Sequence, residues 1–244
     1  MDPRHAEERT GRMMRLRVVP KVKAITFDDF FTLRYPIRER EDIIYPILKM
    51  LKREGVSLDG KEFLKRYFRE DALYRKKLKE TLRESLLDEI VSSALMACGY
   101  EQTSLTGIVK KAVDFGLATR KAKWFPNVKQ TLVTLREKGY KLGLISNTHW
   151  RISENLKKEF ETFLDVVTLS YENGWAKPHP SIFNVTLSKL RLSANQCLHV
   201  GDDPIADIRG AKNAEMKTAF IMRKGVRTNA NIEIRRITEL AELL

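Results

Sequence analysis

Apolar positions along the chain change their period twice. Ala24–Phe27 is a short, mostly apolar run with β-branched members, and it stops abruptly at Asp28 and Asp29. A run of that kind reads as a buried strand of a parallel sheet with acid at its carboxyl end. The next stretch is helical. Ile43, Ile44, Ile47, Leu48 and Leu51 predict a helix over 42–54, closed by Gly55. Phe63, Leu64, Tyr67, Phe68 and Leu78 predict a second over 60–80. Leu86, Ile90, Leu95 and Met96 predict a third over 85–98, and Leu105, Ile108, Val109, Val113 and Leu117 a fourth over 104–118. Four amphipathic helices in a row predict a bundle.

From Phe125 on, strands and helices alternate. Helices are expected at 127–138, 152–160, 180–189, 207–214 and 237–244, with strands at 141–145, 166–169, 197–200 and 218–221. That alternation implies right-handed crossovers and an α/β fold with a doubly wound parallel sheet. Ligands of such sheets bind beyond the carboxyl ends of the strands. Three of the predicted strands run into polar residues there: Asp28-Asp29, Ser146-Asn147-Thr148 and Gly201-Asp202-Asp203. A carboxylate so placed can act as a nucleophile, a metal ligand or both.

Composition narrows the class. The 244 residues are 32% charged and 43% hydrophobic, which suits a globular domain with a subdomain. No run approaches a membrane span, and the basic N-terminus lacks the apolar region of a secretory signal. Cys98 and Cys197 lie far apart and outside any metal-ligand spacing, so a reduced cytoplasm is expected. Net charge is +13. Residues 1–23 hold seven Lys/Arg against three Asp/Glu, and residues 34–123 hold twenty against fourteen. Nucleic-acid binding and attraction of small anions both fit that excess. A solvated surface of interleaved Lys and Glu is preferred to either, because no aromatic-basic module accompanies the charge. Residues 1–20, rich in Arg and poor in apolar periodicity, are expected to form a loose arm, and Met13 or Met14 is a candidate start.

The polar ends carry a resemblance. Phe27-Asp28-Asp29-Phe30-Phe31-Thr32-Leu33 resembles motif I of the haloacid dehalogenase superfamily, in which an apolar strand leads into Asp-x-Asp-Gly-Thr-Leu. Asp28 falls on the family nucleophile, and Thr32 and Leu33 match. Phe30 replaces the acid/base Asp of the phosphatases, and Phe31 the usual Gly. Leu144-Ile145-Ser146-Asn147 resembles motif II. Glu172–Pro180, with Lys177-Pro178, resembles motif III. Val200–Ala211, with Gly201-Asp202-Asp203 and Asp207, resembles motif IV.

The resemblance implies a Rossmann-like core of residues 21–34 and 124–244 and an inserted α-helical bundle cap of residues 35–123. It implies a Mg²⁺-dependent phosphohydrolase that works on a small phosphorylated substrate through an aspartyl-phosphate. Asp28, Ser146 and Lys177 are then catalytic, and Thr32, Asn147 and Lys177 contact substrate. The metal falls to Asp28, the Phe30 carbonyl and Asp202, with Asp203 or Asp207 in support. A phenyl ring at Phe30 can neither protonate a leaving alkoxide nor activate water, so Asp203, His149, His179 or the cap is the candidate replacement. Two alternatives stay open. Dehalogenases of the superfamily carry an aromatic Tyr at the place of Phe30 and act without metal on 2-haloacids. A degenerate member would bind a ligand without turning it over.

Overall fold

The computed structural model describes residues 21–37, 41–83, 85–119, 122–148, 152 and 154–244. The N-terminal arm and His149 lie outside the described residues. Eight strands are described: β1 (Ala24–Phe27), β2 (Arg34–Pro36), β3 (Ala122–Trp124), β4 (Lys141–Ser146), β5 (Val166–Leu169), β6 (Cys197–Gly201), β7 (Lys217–Ile221) and β8 (Ile232–Ile234). Helices α1 (Glu41–Arg53), α2 (Gly60–Thr81), α3 (Leu87–Met96) and α4 (Gln102–Thr119) precede β3. Helices α5 (Val128–Glu137), α6 (Glu154–Phe163), α7 (Ser170–Asn173), α8 (Pro180–Leu190), α9 (Gly210–Asn213) and α10 (Leu240–Leu243) follow it.

Six strands form one sheet in the order β5-β4-β1-β6-β7-β8, every pairing parallel. Strand order reverses at β1, between β4 and β6. Such a reversal opens a crevice at the carboxyl ends of the strands. Side chains of β1 alternate between the two faces, as strand geometry requires. Ile25 and Phe27 pack with Val128, Leu132 and Leu135 of α5 and Leu240 of α10. Ala24 packs with Ile182, Phe183 and Leu187 of α8 and Ala211 of α9. Both faces are covered, which is why these strands read as mostly apolar runs.

Helices α1–α4 have a core of their own, built from Ile44, Ile47, Leu51, Phe63, Leu87, Val91, Leu95 and Val113. Asp59 caps α2 by accepting from the amides of Lys61 and Glu62. The β2–β3 ladder, antiparallel with Arg34 opposite Trp124, joins the segments entering and leaving this helical block. The periodicity locates all four helices within a few residues. It misses β2, β3, β8 and α7, which have three or four residues each, too few to show a period.

One expected helix differs in kind. The segment placed at 207–214 begins at Pro204 and first runs as a wide π-helical turn, Pro204–Arg209, before α9. Pro204, with no amide hydrogen to lose, occupies the first helical position. Asp203 precedes it and accepts from the amides of Ile205 and Ala206. Asp207 therefore lies within the first turn and does not open it.

Candidate active site

Strand register assembles the site. Phe27 of β1 stands opposite Leu144 of β4 and Val200 of β6. The residues that follow, Asp28, Ser146 and Asp202, then emerge along one edge of the sheet at its topological switch point. The Asp28 amide donates to the Val200 carbonyl at 2.9 Å, so the ladder continues as far as this carboxylate.

Lys177 reaches the same edge from the segment after α7. Its Nζ lies 2.6 Å from Asp28 Oδ1 and 2.6 Å from Asp207 Oδ1, with the side chain buried. Asn147, at the end of β4, fixes the lysine's backbone: its Nδ2 donates to the Lys177 carbonyl at 2.9 Å, and the Lys177 amide donates back to Oδ1 at 2.7 Å. Both ends of the Asn147 amide thus hold the Lys177 backbone in place.

Asp207 is the hub. Oδ1 also faces His199 Nε2 at 3.3 Å, and Oδ2 accepts from the amides of Asp202 and Asp203 at 3.1 and 3.0 Å. A carboxylate only accepts, so Nε2 of His199 carries the hydrogen, and Nδ1 accepts from the Thr26 hydroxyl at 3.0 Å. His199 is fully buried in β6, its ring edge-on to Phe183. Sequence reasoning passed over it. The available signal was an imidazole in an otherwise apolar strand, which must find partners once buried. A close approach makes the hub possible: a Cβ on Gly201 would fall 2.2 Å from the Asp207 Cγ.

Burial and charge oppose each other here. Burial pushes the Asp28 carboxyl up and Lys177 pulls it down. With Asp207 adding repulsion, it comes to rest at about 7. Burial also works against the charged forms of Lys177 and Asp207. Their mutual attraction overcomes it, so the ammonium is held above its ordinary value and the Asp207 carboxyl below its own. Burial keeps His199 neutral.

Ligand atoms of Asp28, Asp202 and Asp207 lie within 4.8 Å of one another. Asp203, an expected supporting ligand, is not among them; its carboxylate is turned to the helix it caps. His179 likewise serves α8, its Nδ1 accepting from the Ser181 amide at 3.2 Å. Thr32 is buried, and its hydroxyl is among the described side-chain oxygens that find no hydrogen-bond partner.

The loop after β1 is aromatic where acid was expected. Asp29 is buried and bound bidentately by Arg34, at 2.7 and 2.5 Å. That guanidinium lies 4.6 Å from the Phe160 ring centre and 5.5 Å from that of Phe30. Phe31 stands where glycine is usual and keeps the backbone conformation that glycine favours, φ 63°, with its side chain half exposed. The Arg223 guanidinium sits 5.4 Å from the Phe31 ring and pairs with Asp202 Oδ2.

A second contact ties the helical block to the site. The Ala176 amide donates to the Leu82 carbonyl at 2.9 Å. Arg83 lies 4.2 Å over the Trp175 ring, which stacks on His179 at 3.9 Å. The α2–α3 connection is thus clasped to the loop that carries Lys177.

Against known families, residues 61–221 match the model of haloacid dehalogenase-like hydrolases. The chain belongs to this family. The matched range begins after Asp28, so the family match does not include that segment. Two similar proteins are named glyceraldehyde 3-phosphate phosphatase. That of Pyrococcus abyssi is 39% identical over 97 residues, covering 39% of this chain and 41% of the relative. That of Pyrococcus furiosus is 33% identical over 126 residues, covering 49% and 52%. The chain thus spans about half the length of these curated relatives. Among solved structures, a 2-haloacid dehalogenase from Pseudomonas syringae pv. Tomato DC3000 superposes with a TM-score of 0.70 at 22% identity, over 91% of this chain and 97% of the other. A haloacid dehalogenase-type phosphatase from Thermococcus onnurineus gives 0.59 at 23%, over the same shares. At such identities the likeness shows the fold: an α/β, Rossmann-like parallel sheet. No described helix is long and apolar enough to cross a membrane.

Proposed function

We propose that this hydrolase is a Mg²⁺-dependent phosphohydrolase in which Asp28 is the nucleophile. The observation that carries the reading is the Lys177 ammonium, buried and shared at 2.6 Å by Asp28 and Asp207 beside Asp202. A transferring phosphoryl group needs a positioned nucleophile and fixed positive charge, and positioning with charge neutralisation supplies most of such catalysis. The donor set suits Mg²⁺, which prefers hard carboxylate and carbonyl oxygens. Asp28, Asp202 and the Phe30 carbonyl are the ligands in this reading. Asp207, with both oxygens already engaged, holds Lys177 and the loop of Asp202. When bound, the ion would neutralise charge at Asp28 and on the phosphoryl oxygens.

Asp28 attacks phosphorus, the bond to the leaving oxygen breaks, and an aspartyl-phosphate forms. Water then attacks that phosphorus and frees Asp28 and phosphate. Lys177 and the Ser146 hydroxyl hold the phosphoryl oxygens. Asp28 attacks only when ionised, and without metal its carboxyl rests at about 7. Phe30 supplies no proton, a step typically worth roughly 10²–10⁴-fold. Leaving groups that depart without protonation, such as aryl oxides, are therefore the better substrates. The relatives' names favour a small phosphorylated carbonyl compound as the natural substrate. Residues 35–123 act as the cap in this reading, with the clasp at Arg83 and Trp175 bringing the α2–α3 connection to the site. A cytoplasmic setting accompanies it, with Cys98 and Cys197 both free.

Phe30 alone favours the rival reading, displacement of halide from a 2-haloacid by Asp28. The clustered carboxylates, for which metal-free displacement has no use, outweigh it. The deciding experiment is phosphate release from p-nitrophenyl phosphate with Mg²⁺ or with EDTA. Release that needs Mg²⁺ and falls at least about 10³-fold in Asp28→Asn is expected. Chloride release from 2-chloropropionate without phosphate release would establish the rival.

A further inference from the structure

Arg223 is a cation at the edge of the acidic cluster that the proposed chemistry does not use. It lies two residues beyond β7, the strand beside β6, in the loop leading to β8. Its guanidinium pairs with Asp202 Oδ2 and faces the Phe31 ring at 5.4 Å. Asp202 is almost wholly buried, whereas the Arg223 side chain is 49% exposed. One end of this pair is fixed in the site, and the other can leave toward solvent.

Phe31 gives the second observation. A non-glycine residue at φ 63° strains the backbone, and a phenylalanine does so without the local hydrogen bonds that let Asn or Asp tolerate it. Its ring is half exposed, so core burial does not account for it. What the ring provides is a face for a guanidinium. Phe31 and Asp202 therefore hold Arg223 from two sides.

An arginine cannot shed its charge. While it occupies Asp202 Oδ2, that oxygen is not available to a metal ion. We infer that Arg223, stacked on Phe31, competes with the divalent cation for Asp202 and so sets the metal affinity of the site. Arg223 is a positioning residue in this account: it acts through Asp202 and touches no reacting atom. The inference rests on Asp202 being a metal ligand, as in the function proposed above.

Mn²⁺ serves as the probe, its free concentration read by electron paramagnetic resonance with no substrate present. The proteins are wild type, Arg223→Ala, Arg223→Lys, Phe31→Ala and Asp202→Asn, each checked for cooperative thermal unfolding. Arg223→Ala should bind Mn²⁺ about tenfold more tightly, the size expected for losing one close charge pair. Phe31→Ala should tighten binding about two- to fivefold by releasing the stacked guanidinium. Arg223→Lys, which keeps the charge but loses the planar fork, should fall between wild type and Arg223→Ala. Unchanged or weaker binding in Arg223→Ala, with Mn²⁺ bound by wild type and lost in Asp202→Asn, would overturn the competition and leave the metal site standing. Absence of Mn²⁺ binding in every protein, Arg223→Ala included, would overturn the metal site and the inference together.

Discussion

The two loops that flank the acidic cluster were built by different means. The turn after β6 is organised by charge. Asp207 collects two backbone amides, an imidazole and an ammonium, each a hydrogen-bond donor to its carboxylate. The turn after β1 is organised by shape. Asp29 is withdrawn into a buried pair with Arg34, and two phenylalanines stand at the acid/base and glycine positions of the motif that the stretch resembles. Its backbone nonetheless takes φ 63° at Phe31, a value that glycine adopts freely. Backbone conformation and side-chain chemistry are thus separable here. Phe31 adopts a backbone conformation that glycine would take without strain, while a phenyl ring at Phe30 offers no proton.

If that contrast holds, damage to the charged side should be far more costly. Lys177→Met should have the largest effect. It leaves Asp28 and Asp207 buried without their shared counter-charge, a loss of about 3–5 kcal/mol. It should also lower turnover of p-nitrophenyl phosphate at least about 10²–10³-fold. The pH dependence has a definite sign. Asp28 already sits well above its unfolded value, so its protonated form is the one the fold favours. Stability from that group is present at low pH and lost as pH rises toward and past about 7. Removing Lys177 raises Asp28 further, so urea unfolding should show a larger deficit at pH 8 than at pH 5. Equal deficits at both pH values would mean that Lys177 is not the counter-charge of Asp28.

Gly201→Ala tests the same side through geometry alone. The added methyl meets the Asp207 carboxyl carbon at 2.2 Å, so the hub must shift. A destabilisation of about 1–3 kcal/mol is expected, with turnover reduced because Lys177 moves with Asp207. Wild-type activity in Gly201→Ala would show that the site tolerates displacement of its hub.

This division also explains what was legible in the sequence. The parallel sheet, the four-helix block, Asp28, Lys177 and the acidic turn at Asp202 each rest on a pattern of several residues, and such patterns survive translation into structure. What stayed hidden depends on a single partner contributed from afar. The hold of Asn147 on the Lys177 backbone shows only once the two segments are brought together. His199 reads as an oddity of a strand until Thr26 and Asp207 flank it. Asp203 and Asp207 are alike as letters. The π-helical turn after Pro204 separates them, giving one to the helix end and the other to the site. Arg223 lies in none of the four motifs, and only the adjacency of β6 and β7 brings it to Asp202.

Phe31→Gly should have the smallest effect and the opposite sign. Glycine adopts φ 63° without the steric cost borne by other residues, which is roughly 1 kcal/mol or more. Part of that gain is returned through the freedom that glycine adds to the unfolded chain. The half-exposed ring contributes little burial to lose. A net stabilisation of up to about 1 kcal/mol is therefore expected, read as a higher urea midpoint at unchanged slope. A lower midpoint would mean that the ring's hold on Arg223 outweighs the backbone strain. The turn after β1 would then be organised by charge as well, and the contrast between the two loops would narrow to the absent carboxylate at Phe30.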